Sequence, residues 1–272
     1  WGWDEVKINE ATVTENVVQF LARRLLSFSA DTLKLSQYAA SIGNKFKVSL
    51  LLKIVDLPED YVNQILSGLM EDGYLVPLHH DKDNPQSAEC RFTHDRFQQA
   101  VYSQISNEQK AVIHHHIGKE LLKNANLKEN NKELFELVGH LNQAKSLLNK
   151  SEEIYQLCTL NNTAGIEAIS NNAYKDALHF FNYAISLLPQ DCWGINFDFT
   201  FQLYLAKAEA EYLNLNISEA DKDIDSLLLK ARNPIEKATL LERKLINYVS
   251  LGNYEKALKV SRECLALLGV LR

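Results

Sequence analysis

Apolar side chains recur every three to four residues along most of the chain, the period of helices that bury one face. Val17, Val18, Leu21, Leu25 and Leu26 form the first such run, with Thr14 placed to cap it. Asp31 stands before a second run, Leu33, Leu35, Tyr38, Ala39 and Ile42, which Gly43-Asn44 ends. A third helix fits Val48 to Val55. A fourth opens on Pro58, tolerated in a first turn because its missing N–H has no partner there. It carries Tyr61, Val62, Ile65, Leu66 and Leu69 and stops at Asp72-Gly73. The period then changes. Tyr74 to Leu78 predicts a strand, His79 to Ala88 a polar loop, and Glu89 to Thr93 the returning strand. Three helices followed by a β-hairpin is the order of a winged helix.

From His94 on, the helical period returns. Phe97, Val101 and Ile105 recur every four residues, and further helices fit Glu108 to Leu122 and Leu134 to Ala144, with a polar loop from Asn124 to Lys132 between them. The last part holds a repeat. Asn172 to Leu178, Leu215 to Ala220 and Gly252 to Leu258 align on Ala177, Ala220 and Ala257, which lie 43 and 37 residues apart. Each stretch sits between two helical runs. One face combines Ala177, Leu178, Phe181, Ala184, Ile185 and Leu188 and is closed by Pro189. Another combines Ile235, Ala238, Leu241, Leu245 and Tyr248 and is entered by Asn233-Pro234, a cap followed by proline. Helix pairs at this period predict an α-solenoid. The expected fold is mainly α: a linker helix over 1–30, a winged-helix domain over 31–105, connecting helices over 106–150, and about three tetratricopeptide-like helix pairs over 151–272.

Composition narrows the function. Ten glycines and five prolines in 272 residues leave few helix breakers. A net charge of −6 argues against a general nucleic-acid binder. The helix from Pro58 to Asp72, which would enter a DNA groove, carries Glu59, Asp60, Glu71 and Asp72 and no Lys or Arg. No nucleic-acid partner is expected. The sequence shows neither a membrane-length apolar run nor a secretory leader, so a cytoplasmic chain without a membrane partner is expected. It begins at Trp1, not Met, and reads as a slice of a longer protein. Cys90, Cys158, Cys192 and Cys264 contain no Cys-x-x-Cys pair and are expected to be reduced, packed thiols. His114-His115-His116 cannot converge on one metal, since consecutive helix positions diverge, and reads as a solvated or half-buried face. No metal site is expected.

Two levels of resemblance add to this. Gly252-Asn253-Tyr254-Glu255-Lys256-Ala257-Leu258 closely resembles the tetratricopeptide consensus; Asn172 to Leu178 does so less fully, and the middle copy departs with Ile217 at the aromatic position. Thr14 to Val18, Ala40 to Phe46, Phe92 to Ala100 and Gly139 to Asn142 resemble STAND-class predicted ATPases of multidomain signalling proteins. In that family a serine/threonine kinase-like domain often precedes the ATPase, and GAF and sensor histidine kinase domains follow. The resemblance implies that the chain lies just after an ATPase domain, comprises its winged helix and the start of its repeats, and binds a protein partner or effector on those repeats. ATP or ADP with Mg would belong to the parent, an ATP-binding kinase of a two-component pathway, and the chain itself would hold no cofactor. It further implies that His94 approaches the β-phosphate of bound ADP as a nucleotide sensor, with Asp95 as its support.

The residues themselves offer a plainer alternative, in which Thr93, His94 or Asp95 caps the following helix. The chain has no phosphate-cradling Gly-x-x-x-x-Gly-Lys-Ser/Thr, no Gly-x-Ser-x-Gly elbow, and His94-Asp95-Arg96 is not a kinase His-Arg-Asp. It is therefore expected to be no enzyme. Two other functions compete: a winged-helix transcription regulator with a repeat sensor, and phosphotransfer through His94, whose surroundings lack the proline of a phosphoacceptor box.

Overall fold

The computed structural model describes residues 25–79, 88–124 and 131–270. The expected linker helix over 1–30 lies almost wholly outside the described residues, as does most of the hairpin loop. Chain contacts divide the molecule into two units, one ending at Leu148 and one starting at Asn149.

The first unit runs α1 (Ala30–Ile42), β1 (Lys45–Lys47), α2 (Val48–Ile54), α3 (Glu59–Glu71), β2 (Leu75–His79), β3 (Glu89–Phe92), α4 (Asp95–Ser103), α5 (Asn107–Asn124), α6 (Asn131–Gln143) and a 3-10 turn (Lys145–Leu147). Ser29, not Asp31, caps α1, its hydroxyl accepting from the Thr32 amide at 3.1 Å. The serine oxygen sits where the orphan amides of the first turn point; Asp31 is already inside the helix. The three strands are antiparallel in the order β1-β3-β2, with Phe46 opposite Cys90 and Leu75 opposite Phe92. β1 has no counterpart in the sequence reading, because three residues are too short to display alternation. Pro77 lies in the edge strand β2, where a missing amide donor breaks no ladder on the open side. The apolar faces converge on one core: Leu35 and Ala39 of α1, Phe46, Leu51 and Ile54, Val62, Leu66 and Leu69 of α3, Leu75, Phe92, and Phe97 and Val101 of α4.

The second unit is a run of antiparallel helix pairs: α7 (Ser151–Ser170) with α8 (Tyr174–Ser186), α10 (Phe197–Leu213) with α11 (Ile217–Lys230), and α12 (Pro234–Ser250) with α13 (Tyr254–Leu267). A short α9 (Cys192–Ile195) lies between the first and second pairs and accounts for the longer first spacing. All three pairs turn in the same way. Asn172, Leu215 and Gly252 take positive φ, at 59°, 64° and 69°. The next amides, of Ala173, Asn216 and Asn253, reach back to the carbonyls of Ala168, Glu211 and Tyr248 at 2.8, 2.9 and 2.8 Å. This is a Schellman closure, which satisfies carbonyls orphaned at a helix end. Ala177, Ala220 and Ala257 are all buried; a small residue there lets the second helix of each pair close on the first. Asn233 caps α12 through the Glu236 amide, 2.9 Å away, with Pro234 in the first turn. Ile235, read from its spacing as part of the buried face, is exposed in the first turn of α12.

Candidate functional site

His94 and Asp95 sit where β3 passes into α4. The backbone there is held from three sides. The Phe92 amide donates to Asn44 O and the Thr93 amide to Tyr74 O, both at 3.0 Å. Phe97, one turn into α4, is buried in an aromatic cluster, stacked on Tyr74 at 4.5 Å between ring centroids and edge-on to Phe28. Gln98 Nε2 donates to Ala40 O at 2.7 Å. His94 occupies the N-cap position with extended backbone (φ −132°, ψ 126°), yet its side chain makes no capping hydrogen bond and is exposed. Thr93 does not cap either; its Oγ1 is buried without a partner. The Asp95 carboxylate accepts from Asn44 Nδ2 at 2.5 Å, tying the turn after α1 to the start of α4. Asp95 thus serves a structural bond, while the His94 imidazole stands in solvent on a rigid mount beside exposed Arg96. The four carboxylates of Glu59, Asp60, Glu71 and Asp72 are also exposed, on and just after α3.

A second cluster lies nearby, in an open pocket of about 330 Å³ lined by Ser41, Gln98, Tyr102, His114, Glu136 and His140 among others. The Nδ1 atoms of His114 on α5 and His140 on α6 are 2.7 Å apart, and Tyr102 OH lies 2.9 Å from His114 Nε2. Burial, reinforced by Lys110, lowers the His114 pKa to about 4. Burial, reinforced by His114, lowers that of His140 to about 4 as well. Burial raises the Glu136 pKa, against the opposing pull of Lys132 and Lys47. The triple histidine run does diverge: His116 is exposed and His115 half-buried. His114 departs from the solvated reading because it faces α6, which approaches closely enough that a Cβ on Gly118 would stand 2.5 Å from the Leu141 side chain. Its partner was legible only as a histidine one residue before Leu141 on the apolar stripe Leu134, Leu137, Val138 and Leu141. Among the described residues, no group of three or more His, Cys, Asp or Glu is placed to hold a metal ion.

In the second unit, a cavity of about 200 Å³ between α10 and α12 is lined by Leu205, Glu209, Tyr212, Arg243, Ile246 and Asn247. Of the aromatic residues of the repeats, Phe181, Phe197, Phe201, Tyr204 and Tyr212 are buried or half-buried packing groups, whereas Tyr155 and Tyr254 are exposed. Among the described residues, no helix is long and apolar enough to cross a membrane.

No protein-family profile matches the chain. It is 22% identical, over 324 aligned residues, to hybrid signal transduction histidine kinase G of Dictyostelium discoideum. Among solved structures it is similar, at a TM-score of 0.36 and 14% identity, to a STAND protein with a tetratricopeptide repeat sensor from Pyrococcus horikoshii, over 93% of this chain and 45% of that one. The similarity to the kinase runs through 99% of this chain but spans only 9% of the kinase's length, so the chain resembles one stretch of a much larger signalling protein.

Proposed function

We propose that the chain is a non-catalytic regulatory and protein-interaction region of a larger signalling protein. Its second unit offers helical repeats to a protein partner or effector, and its first unit couples those repeats to the nucleotide state of a neighbouring P-loop ATPase domain. The observation that carries this reading is the threefold recurrence of one helix-pair design, with the same Schellman closure and the same buried alanine each time. Such stacked pairs present an extended, groove-bearing surface suited to partners. Similarity to a signalling histidine kinase along almost the whole chain supports the context.

The finer reading takes residues 31–105 as a winged helix. The helix–strand order of the first unit and the strand order β1-β3-β2 support it. On this reading His94 is the nucleotide sensor; its exposed imidazole, free of capping duty on a firmly held backbone, favours it. ADP titration of the full-length protein by calorimetry tests the assignment. Replacement of His94 by Ala is expected to weaken ADP binding and change signalling output; equal affinity and unchanged output refute it. The transcription-regulator alternative would press the exposed carboxylates of α3 against DNA phosphates. Salt-sensitive binding of random duplex in a gel-shift assay would revive it. Labelled histidine after incubation with labelled ATP would revive phosphotransfer.

A further inference from the structure

The pair His114–His140 has a geometry that the proposed function does not use. The ring centroids are 5.0 Å apart and the planes tilted by 31°. That separation equals the 2.7 Å between the Nδ1 atoms plus the two half-widths of the rings, so the nitrogens point at one another head-on. Head-on lone pairs do not converge on a third point, which disfavours a chelated metal; they share a hydrogen. Neutral imidazole carries one N–H, so one Nδ1 donates and the other accepts. Two positively charged rings would set two N–H groups against each other at the same distance.

We propose that His114 and His140 form a proton-operated latch, which holds α6 against α5 while the pair shares a single hydrogen and shifts α6 toward an undocked state when the pair gains protons.

The surroundings fit that role. Both rings are buried, at 3% and 7% exposure. From α4, Tyr102 bonds the far side of His114 and fixes its orientation. Lys110, one turn before His114 on α5, lies 4.5 Å over the Tyr102 ring and adds like charge. α1 contributes only uncharged Ala40 and Ser41 to the pocket, and Lys145 of the 3-10 turn is exposed. Glu136 on α6 is the one carboxylate lining the pocket, with Lys47, Lys132 and Glu133 acting on it. Its raised pKa means that its own protonation favours the docked state as pH falls, opposing the latch.

Native-state hydrogen exchange at pH 7.5 and 5.0, corrected for the intrinsic pH dependence of exchange, tests the proposal. Each imidazole at about 4 docked and roughly 6.5 undocked raises the opening of α6 roughly thirtyfold over this interval, so the two together raise it roughly several hundredfold. The helix α7, which contains no histidine, serves as the reference and is expected to stay level. Replacing Glu136 by Gln should enlarge the rise. His114→Gln and His140→Gln keep a neutral polar group at the contact and each leave one buried imidazole, so each should cut the rise to roughly thirtyfold or less. Unchanged α6 protection in the wild type, or a full rise in both Gln variants, overturns the latch. Should those variants fail to fold, NMR of the wild-type imidazoles decides: both rings neutral at pH 5.5 with α6 docked supports it, and either ring titrating near roughly 6.5 while α6 stays protected overturns it.

Discussion

Replacing Gly165 by Ala puts helix propensity and packing in direct opposition. Gly165 lies mid-helix in α7, where Ala is intrinsically better by about 1 kcal/mol. Yet it is buried against α8, and a Cβ there would come within 2.7 Å of three ring carbons of Phe181, Cε1, Cδ1 and Cζ. Carbon atoms settle at about 3.5–4.0 Å, so the ring or the helix must move by close to an ångström. Phe181 has 0% exposure and no room to retreat. Forcing a methyl into a packed core costs about 1–3 kcal/mol. The close approach puts the packing penalty toward the upper end of that range, and Gly165→Ala is expected to destabilise the second unit by up to about 2 kcal/mol. Gly139, mid-helix in α6 with nothing within 4 Å of its Cβ position, supplies the control. There the propensity gain stands alone, and Gly139→Ala should stabilise the first unit by about 1 kcal/mol. In a background with Trp1 and Trp3 replaced by Phe, urea denaturation followed by Trp193 fluorescence reads the second unit, in which Trp193 stacks on Tyr204, and circular dichroism reads the whole chain. The double variant with Phe181→Leu removes the ring that obstructs the methyl, so the two changes should couple favourably by about 1 kcal/mol. A Gly165→Ala variant that gains stability as the Gly139→Ala control does, or no coupling in the cycle, refutes the close approach of α7 and α8.

Three further outcomes are expected. Leu215 holds a left-handed φ of 64° with its side chain exposed, so Leu215→Gly should gain about 0.5–1 kcal/mol in urea melts as strain relief exceeds the entropy of glycine. Ser36 is fully buried in α1 with an unpartnered Oγ, and Ser36→Ala should stabilise the first unit by about 1 kcal/mol, checked by denaturation monitored by circular dichroism. Tyr248 OH donates to Asp221 Oδ2 at 2.6 Å between α12 and α11; Tyr248→Phe should cost about 1–2 kcal/mol, read as a lowered urea midpoint with unchanged slope.

Local chemistry made much of this molecule readable in one dimension. The helices α1 to α6 announce themselves by period, the α12 start by Asn233-Pro234, and the repeats by alanines whose spacing survives even where Ile217 replaces tyrosine. The hairpin was legible because its flanks change period, and the junction that holds His94 because strand gives way to helix there. These are short-range properties: caps, turns and periodicity depend on residues within a few positions of each other.

What needed the tertiary structure depends on partners far away in sequence. β1 is a strand only because β3 lies beside it, since three residues cannot hold extended structure alone. Ile235 obeys the apolar period yet finds no neighbour to bury it. His94 and Asp95, adjacent and equally plausible as caps, part company because Asn44, 51 residues before Asp95, claims the carboxylate. His114 and His140, 26 residues apart, carry no mark in sequence that they meet. Sequence alone determined most of the helical segments and that residues 151–272 repeat, because those follow from backbone and near-neighbour physics. Only the packing of α5 on α6 decided that two imidazoles meet out of water, where a single proton has consequences it would not have on the surface.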